Sequence, residues 1–520
     1  MPPLAFKPDS SFFEKIALGA VGSRHVAQDL ERLGHQIVEL ERGAMDTKLW
    51  KDVKRKRVRI PDLVCKVCGL RIESRAKTKA ELSMSHSFSA HERAWDFGMV
   101  DTDLVAFPVC IKDKDQEKQW CIGRLNDQNS YWHERNRIQW QPQGKVNYIR
   151  VGQFRDVPHD EASTKGVTEA SETSISWKSR FSRRNGFVKV VSGQKITLTR
   201  AGDGHRHTQT IPPEIKIVVD YGDQVALNQI IASRVRPETD NHLRCSQELT
   251  DFQLLQLLSS RERTQRFTGV KLARLRLRRS DSLANTIASL ERDQEEDMYI
   301  RLEAAAYLVA ICDMGAQDLF MPYLMNCDEQ IQLEAVISLG EAGTQECVSL
   351  LSTILNDAER PYFARSAAAW SLSRINDSQS CQCLVQAFGD INPNLREEAL
   401  EGIVRLHSDA VPWLLSGLQE ENPAIAAGCA EALRQHGALP AEAIGTLTEQ
   451  LTEENPSKWA VWLAGHLPRE CLAGAVADLQ ETAPELHYAI TVLWSFAESW
   501  IARHWELQPG ANFPPMGNAP

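Results

Sequence analysis

Small and apolar residues recur at a constant spacing through the C-terminal part of the chain, from about Glu295 to Gln508. Each unit of the pattern predicts two amphipathic helices, such as LREEALEGIVRL followed by AVPWLLSGLQ. Because one such pair cannot bury its apolar faces alone, the units are expected to stack. The small anchor positions are separated by 30 to 33 residues and are Ala304, Ala335, Ala368, Ala399, Ala430 and Ala460.

Turn signals between the units support the same register. They occur at Asn392-Pro393, Asn422-Pro423, Asn455-Pro456 and Ala483-Pro484. An Asn-Pro pair begins a helix well, since Asn caps the first turn and proline fits within it. The pattern resembles HEAT repeats of the short bacterial type, with a period of roughly 31 residues. This resemblance implies a right-handed α-solenoid over residues 295–508 that binds a protein partner, and an irregular helical bundle is the alternative.

Charge divides the chain into two parts. Residues 1–280 contain 48 Lys and Arg and 34 Asp and Glu, a net of +14, whereas residues 281–520 contain 11 and 35, a net of −24. Because a phosphate backbone attracts Lys and Arg, any nucleic-acid contact is expected in the first part. The repeated arginines Arg301, Arg365 and Arg396 are expected to join successive units through neighbouring acids.

The first 125 residues predict an α/β domain. Phe13–Leu33 has apolar residues at helical spacing and ends at Gly34, a good C-cap. A helical stretch is expected at His91–Met99. The predicted strands are His35–Glu41, Arg57–Cys65, Leu70–Lys77 and Leu104–Ile111.

The order of these elements, with Pro61-Asp62 on one strand and Glu73 on the next, resembles the PD-(D/E)XK nuclease superfamily and its restriction-endonuclease-like fold. The resemblance implies that Asp62 and Glu73 hold Mg²⁺ or Mn²⁺, hard ions that prefer oxygen ligands. The position of the family's catalytic lysine is occupied by Arg75. Lys77 lies one step further along the same face, because the side-chain period of a strand is two, and is the substitute candidate.

The sequence also departs from the family in its first helix, where Gly22–His25 lacks the acid that resolvase-like members carry. The alternative is an α/β domain in which Asp62 and Glu73 form surface salt bridges with nearby arginines (Arg57, Arg59 or Arg71). A basic stretch, KDVKRKRVR, precedes the Asp62 strand and is either a phosphate-binding segment or a solvated run of charge. Its candidate nucleic-acid contacts are Lys51, Lys54, Arg55, Lys56 and Arg57.

A Cys-x-x-Cys-Gly sequence, Cys65 to Gly69, is half of a zinc-knuckle pattern. Zn²⁺ is therefore a second candidate metal, with Cys65 and Cys68 as ligands. The candidates for the other two ligands are Cys110 and Cys121. Two free thiols in a turn are the alternative.

Residues 126–240 predict a β-rich module with a mobile loop at 156–174. The segment IKIVVDYGDQVALNQIIA resembles a strand of barrel-sandwich domains, including biotinyl and lipoyl carriers, but the loop AGDGHRHTQT has no lysine for attachment. Residues 241–294 predict a basic helical linker. Its segment Arg261–Arg279 is expected either to contact nucleic acid or to dock on the acidic array.

Length and composition complete these expectations. A chain of 520 residues is too long for one core and predicts a multidomain protein, here α/β, then β, then all-α, with a disordered tail at 509–520. It has no apolar run long enough to span a bilayer and no recognisable secretory signal. Its 12 scattered cysteines suit reduced thiols, so a cytoplasmic protein is expected.

Two functions are favoured by these features. The first is a metal-dependent nuclease whose repeat array recruits or senses a protein partner, a layout that suits bacterial defence or DNA processing. The second is a non-catalytic adaptor in a larger assembly. A chromophore-lyase-like function is disfavoured because it leaves the basic α/β domain unexplained.

Overall fold

The computed structural model describes residues 10–45, 59–88, 90–112, 140–160, 163–164, 173–200, 202–245, 247–375, 377–436 and 439–505. The chain forms two compact units. The N-terminal unit extends to Thr286, and the helical array begins at Ile287.

The N-terminal unit is built mainly of short strands. In chain order they are β1 (Ile37–Glu39), β2 (Leu63–Cys65), β3 (Arg71–Ser74), β4 (Ser83–His86), β5 (Leu104–Phe107), β6 (Cys110–Lys112), β7 (Trp140–Pro142), β8 (Asn147–Arg150), β9 (Ser163–Thr164), β10 (Thr173–Ser176), β11 (Ser179–Phe181), β12 (Gly186–Ser192), β13 (Lys195–Arg200), β14 (Arg206–Thr210), β15 (Lys216–Ile217), β16 (Gln224–Val225) and β17 (Ile230–Ser233). Its helices are α1 (Ser10–Glu31), α2 (Val151–Asp156), α3 (Asp240–Leu243), α4 (Asp251–Leu258) and α5 (Arg263–Leu275), and α6 (Asp281–Arg292) follows at the boundary.

A five-stranded mixed sheet in the order β1-β2-β3-β5-β8 forms the centre of this unit. β1, β2 and β3 are antiparallel neighbours, β3 and β5 run parallel, and β8 is antiparallel to β5. Helix α1 covers one face, where Val26 and Leu30 pack against Leu63, Ile72 and Leu104. These side chains alternate along the strands, so the intervening residues lie on the opposite face.

Helix α5 is anchored to that opposite face by a buried ion pair. Arg71 of β3 donates from Nε to Asp103 Oδ1 at 2.9 Å and from Nη2 to Oδ2 at 2.5 Å. Its Nη1 also donates to the hydroxyls of Thr264 and Thr268 at 3.2 and 3.4 Å. Arg71 is 2% exposed and Asp103 3%, so the charge-assisted contacts link β3, the entry to β5 and α5 in a desolvated setting.

This packing differs from the linker expected for Arg261–Arg279. The segment forms α5 of the N-terminal unit, and Val270, Leu272 and Ala273 are 0% exposed. Lys271 and Arg274 are buried beside them. A helix that is buried on most of its circumference has no single apolar stripe, which is why the basic and apolar alternation predicted a linker instead of a buried helix.

Two further expectations are corrected in this unit. The stretch His91–Met99 contains a 3₁₀ turn at His91–Arg93 followed by turns instead of a longer helix. The strand predicted over Leu104–Ile111 ends at Phe107, because Pro108 has no N–H to continue the ladder. The chain then continues in β6, which pairs with β7 in a separate two-stranded sheet.

The remaining strands form three antiparallel sheets, ordered β4-β10-β9, β11-β17-β15 and β14-β13-β12-β16. The last two enclose a small apolar core that includes Val188, Ile196 and Ile231. Tight turns at Gly193 and Gly222 have φ values of +55° and +91°, a region that favours glycine. Of the loop expected at 156–174, residues 161–162 and 165–172 lie outside the described residues, as does the tail at 509–520.

The helical array is a succession of helical hairpins. Its helices are α7 (Met298–Cys312), α8 (Ala316–Leu324), α9 (Glu329–Ala342), α10 (Gln345–Asn356), α11 (Tyr362–Ile375), α12 (Ser378–Ala387), α13 (Pro393–Arg405), α14 (Val411–Gly417), α15 (Pro423–His436), α16 (Ala441–Leu451), α17 (Lys458–Ala464), α18 (Arg469–Thr482) and α19 (Pro484–Trp505), with a 3₁₀ turn at His407–Ala410. The first helices of successive hairpins pack against one another from α7 to α19. Every predicted anchor alanine lies in such a helix and is 0% exposed.

The predicted turn signals mostly cap helices. Asn392 accepts from the N–H of Asn394 at the start of α13, and Asn422 accepts from Ala424 at the start of α15. At Asn455-Pro456 the cap lies further along, because Ser457 accepts from Trp459. None of the helices in the described part of the chain has both the length and the apolarity to cross a membrane.

Repeated arginines join the hairpins. Arg301 and Arg365 each donate from Nε, at 2.8 Å, to a carbonyl ten residues earlier in the preceding helix, on Glu291 and Leu355. Arg365 also forms an ion pair with Asp390 of the next turn. Arg396 donates to the carbonyl of that same aspartate at 2.7 Å. The arginines therefore act within the array, through main-chain carbonyls as well as the expected acids.

Helices α9 and α11 approach closely at Gly340. A Cβ at this position would lie 2.6 Å from Cβ of Ser371 and 2.9 Å from its Cα. Gly340→Ala should therefore destabilise the protein by about 1–3 kcal/mol through overpacking, despite the better helix propensity of alanine. Urea denaturation of the full chain, followed by helical circular dichroism, measures the change.

Gly474 of α18 is the matched control. A Cβ there meets nothing within 4 Å. Gly474→Ala should therefore stabilise by about 0.5–1 kcal/mol, through propensity alone. Equal effects of the two substitutions would contradict the close approach of α9 and α11.

Candidate functional site

Asp62 and Glu73 lie at neighbouring strand ends in the central sheet. The hairpin register pairs Leu63 with Ile72, and Asp62 immediately precedes Leu63 while Glu73 immediately follows Ile72. The N–H of Ser74 donates to Asp62 Oδ2 at 2.7 Å. The antiparallel hairpin thus brings both predicted metal-binding acids to one place.

A third acid, Glu41, joins them from the end of β1. The N–H groups of Leu40 and Glu41 both donate to the carbonyl of Asp62, at 2.9 and 3.2 Å. Burial, followed by the negative charges of Glu73 and Glu41, raises the pKa of Asp62 well above its ordinary value. We call Asp62, Glu73 and Glu41 the carboxylate cluster. Glu41 was not singled out in the sequence, although it ends the predicted strand HQIVELE.

The two basic candidates on the Glu73 strand separate. Arg75 remains in the cluster, where its Nη2 lies 2.7 Å from Glu73 Oε1. Within the described part of the chain, the buried Nε of Arg75 has no hydrogen-bond acceptor. Lys77 instead donates to the hydroxyl of Ser83 at 3.1 Å, and that hydroxyl contacts Glu81. β3 ends at Ser74, but Lys77 pairs with Val109 in the same parallel register, so the alternation continues to Lys77 although its side chain contacts Ser83.

A lysine from a distant part of the chain lies near the carboxylate cluster. Lys271 of α5 is 4% exposed, and its Nζ donates to the carbonyl of Leu40 at 3.2 Å. Leu40 is the residue whose N–H bonds to Asp62. The sequence near Lys271 does not predict this position. About 190 residues or more separate α5 from β1–β3, and only the folded chain brings them together.

Two of the arginines named as alternative salt-bridge partners of Asp62 and Glu73, Arg71 and Arg59, contact other groups. Arg71 pairs with Asp103, on the same face as Glu73. Arg59 donates to the carbonyl of Glu92 at 2.6 Å. The basic candidates Lys51, Lys54, Arg55, Lys56 and Arg57 lie outside the described residues.

A second cluster contains His35, Cys65, Cys68 and Cys245, which we call the cysteine–histidine cluster. One potential ligand atom of each lies within 4.8 Å of the others. Cys65 Sγ is 4.0 Å from Cys245 Sγ, and Cys68 Sγ is 3.6 Å from His35 Nδ1. Hydrogen bonds from Cys68 and then His35 lower the pKa of Cys65 to about 3, despite its burial.

The structure corrects one of the two expected partners of the Cys65–Cys68 pair, Cys110. Cys110 belongs to β6 and packs with Ala17, Val21 and Trp140. Cys121 lies outside the described residues. The residues beside the pair are instead His35, which follows α1, and Cys245, which follows α3. Their separations along the chain follow no zinc-knuckle spacing, so the sequence pattern did not reveal them.

Comparison with known proteins bears on the helical array. A family model for HEAT repeats matches residues 318–403 and 384–462, so the C-terminal half contains HEAT repeats, as its period predicted. Similar solved structures include E. coli YibA, at 16% identity over 48% of this chain and 92% of that one, with a TM-score of 0.25. Another is human deoxyhypusine hydroxylase in complex with glycerol, at 17% identity over 44% and 84%, with a TM-score of 0.18.

A third is the complex of CpcE and CpcF of phycocyanin lyase from Nostoc sp., at 14% identity over 48% of this chain and 95% of that one, with a TM-score of 0.18. At these TM-scores the likenesses carry no argument about function. Among curated proteins, none matches the sequence.

Two aspartates on the same sheet face, the half-buried Asp62 and the buried Asp103, should respond oppositely to the change to asparagine. The raised pKa of Asp62 means that its ionisation opposes folding, so this part of the stability is lost as the pH rises from the ordinary carboxyl value through the raised one. Asp62→Asn should therefore raise the thermal midpoint at neutral pH without added Mg²⁺, because the amide oxygen still accepts from Ser74.

Asp103→Asn is the paired control. Burial also raises the pKa of Asp103, although Arg71 opposes that rise. The change to asparagine nevertheless leaves Arg71 buried without its carboxylate and should destabilise by about 3–5 kcal/mol. Thermal denaturation between pH 5 and pH 8 compares both variants with the wild type. A wild-type midpoint that does not fall relative to Asp62→Asn as the pH rises would contradict the charge conflict at Asp62.

Proposed function

We propose that the N-terminal unit is a divalent-metal-dependent nuclease of the PD-(D/E)XK type and that the HEAT array recruits a protein partner for it. The observation that carries the proposal is the juxtaposition of Asp62 and Glu73 across the β2–β3 hairpin. Carboxylates of adjacent strands are the ligand type that Mg²⁺ and Mn²⁺ prefer. The helix α1, the three-stranded meander β1–β3 and the parallel strand β5 are consistent with the element order of that superfamily.

Asp62 and Glu73 of the carboxylate cluster are the two residues that would hold a hard cation. Asp62 uses Oδ2 for the Ser74 N–H, and Glu73 uses Oε1 for Arg75, so one oxygen of each would be directed to the ion. A divalent cation would offset the repulsion that raises the pKa of Asp62. When bound, it would polarise a phosphodiester and lower the pKa of a water molecule.

Two basic side chains would assist a phosphate in this site. The Nε–H of Arg75 is buried without an acceptor in the described residues, and a phosphate oxygen would supply one. Arginine binds phosphate well but does not give up a proton. Lys271, beside Leu40, is therefore a better candidate than Lys77 for stabilising the charge that develops during cleavage.

The charge of the HEAT array favours a role other than nucleic-acid binding. Residues 281–520 carry a net charge of −24, which repels a phosphate backbone. We assign to it a protein partner with a basic surface, and nucleic acid to the N-terminal unit. Such a combination suits bacterial defence or DNA processing.

Cleavage assays test the nuclease directly. Full-length protein is incubated with plasmid, linear duplex and single-stranded DNA and with RNA, with Mg²⁺ or Mn²⁺. The wild type should cleave at least one substrate, and Asp62→Asn should lower the rate by more than about 100-fold. Loss of a residue that only supports a metal ligand typically lowers activity by about 10- to 100-fold, so loss of the ligand itself should lower it further.

Asp203→Asn is the matched control, since Asp203 lies in the exposed β13–β14 turn beside Arg200. It should leave cleavage unchanged. Cleavage that persists in Asp62→Asn, or that is lost equally in both variants, would count against a site at Asp62.

A non-catalytic adaptor is the second candidate, favoured by the Glu73–Arg75 ion pair, which neutralises Glu73 without a metal. Mg²⁺ titration separates the two. A metal site should raise the stability of the wild type by about 2.7 kcal/mol at 100 times the dissociation constant, and Glu73→Ala should abolish the rise. Equal thermal midpoints of the wild type with and without Mg²⁺ would favour the adaptor.

A further inference from the structure

We propose that His35, Cys65, Cys68 and Cys245 bind one Zn²⁺ ion that holds the N-terminal unit together. This inference is independent of the proposed nuclease activity. It rests on the cysteine–histidine cluster, whose potential ligand atoms lie within 4.8 Å of one another. Three sulfurs and one imidazole form a common ligand set for a structural zinc ion.

The distances in the cluster match tetrahedral coordination. With Zn–S near 2.3 Å and Zn–N near 2.0 Å, two sulfurs should be about 3.8 Å apart and a sulfur and a nitrogen about 3.5 Å apart. Cys65 and Cys245 are separated by 4.0 Å between their sulfurs, and Cys68 Sγ lies 3.6 Å from His35 Nδ1. The side chains are thus spaced around a point at which one small ion fits.

The imidazole of His35 is held in the orientation that a ligand requires. Its Nε2 lies 2.5 Å from the carbonyl of Leu243, which only an N–H on Nε2 can satisfy. That tautomer leaves the lone pair of Nδ1, the atom beside Cys68, for the metal. A backbone carbonyl bonded to the far nitrogen is the usual support of a metal-binding histidine.

The turn that carries the two neighbouring cysteines has the compact form of a zinc knuckle. Gly69 donates to the carbonyl of Cys65 at 2.8 Å and has a φ of +74°. The turn brings the side chains of Cys65 and Cys68 together beside those of His35 and Cys245.

Four protein ligands close the coordination sphere, so the role is structural. The ligands come from three distant segments: the turn after α1, the β2–β3 hairpin and the stretch after α3. Hydrogen bonds already align them, from Cys245 N–H to the Leu33 carbonyl at 3.1 Å and from Leu249 N–H to the Val67 carbonyl at 2.9 Å. Zinc would lock the hairpin that bears Asp62 and Glu73 onto the rest of the unit.

Metal analysis of the full chain tests the proposal. Protein is purified under reducing conditions without added chelator, and its metals are measured by plasma mass spectrometry. The expected content is about one zinc ion per chain. Co²⁺ exchanged into the site should give visible bands of tetrahedral cobalt and a thiolate charge-transfer band in the near ultraviolet.

Substitutions locate the ion. Cys245→Ala and Cys68→Ala should lose the zinc and the cobalt spectrum, whereas Cys110→Ala, a buried cysteine of the same unit outside the cluster, should keep both. Thermal denaturation should show that a chelator lowers the midpoint of the wild type and of Cys110→Ala but not that of Cys245→Ala.

Three results would overturn the inference. They are wild-type protein that holds no zinc after incubation with Zn²⁺, zinc that survives Cys245→Ala at full content, and a disulfide between Cys65 and Cys245 in the reduced preparation. Zinc content is measured without any nucleic-acid substrate. A failure of this inference is therefore distinguishable from a failure of the nuclease, which depends on Asp62 and added Mg²⁺.

Discussion

The buried contact between Arg71 and Asp103 constrains the whole central sheet. Residues alternate across β3, so Ile72 packs beneath α1 while Arg71 and Glu73 lie on the other face. A desolvated arginine is tolerated there only because it meets a bidentate carboxylate and two hydroxyls of α5. Helix α5, β3 and the entry to β5 consequently behave as one body, and the acids beside Arg71 are held where water does not fully compensate their charge.

That arrangement explains how a site of like charges persists in the fold. Ionised Asp62, Glu73 and Glu41 repel one another, and the partial burial of Asp62 strengthens the effect. The surrounding contacts offset this repulsion. They include the hydrogen bond from Ser74 to Asp62 and the ion pair between Glu73 and Arg75. Strain of this kind is expected where structure is adapted to a ligand instead of to stability alone.

The features that the sequence predicts best are those with a local physical cause. The alanine anchors repeat because each hairpin meets the next in the same way, and they are all buried. The Asp62–Glu73 pairing follows from a single hairpin. Local patterns do not mark Lys271, His35 and Cys245, because folding brings them in from distant positions. The burial of α5 is concealed in the same way, because its basic residues are typical of an exposed linker.

Residues late in the N-terminal unit supply contacts on which its first strands depend. Leu243 reaches back 208 positions to His35, and Thr268 reaches back 197 positions to Arg71. During translation, the first strands therefore leave the ribosome long before their partners exist. All five strands of the central sheet precede α5, but Arg71 gains its hydroxyl partners and this face of the sheet is covered only after α5 has emerged.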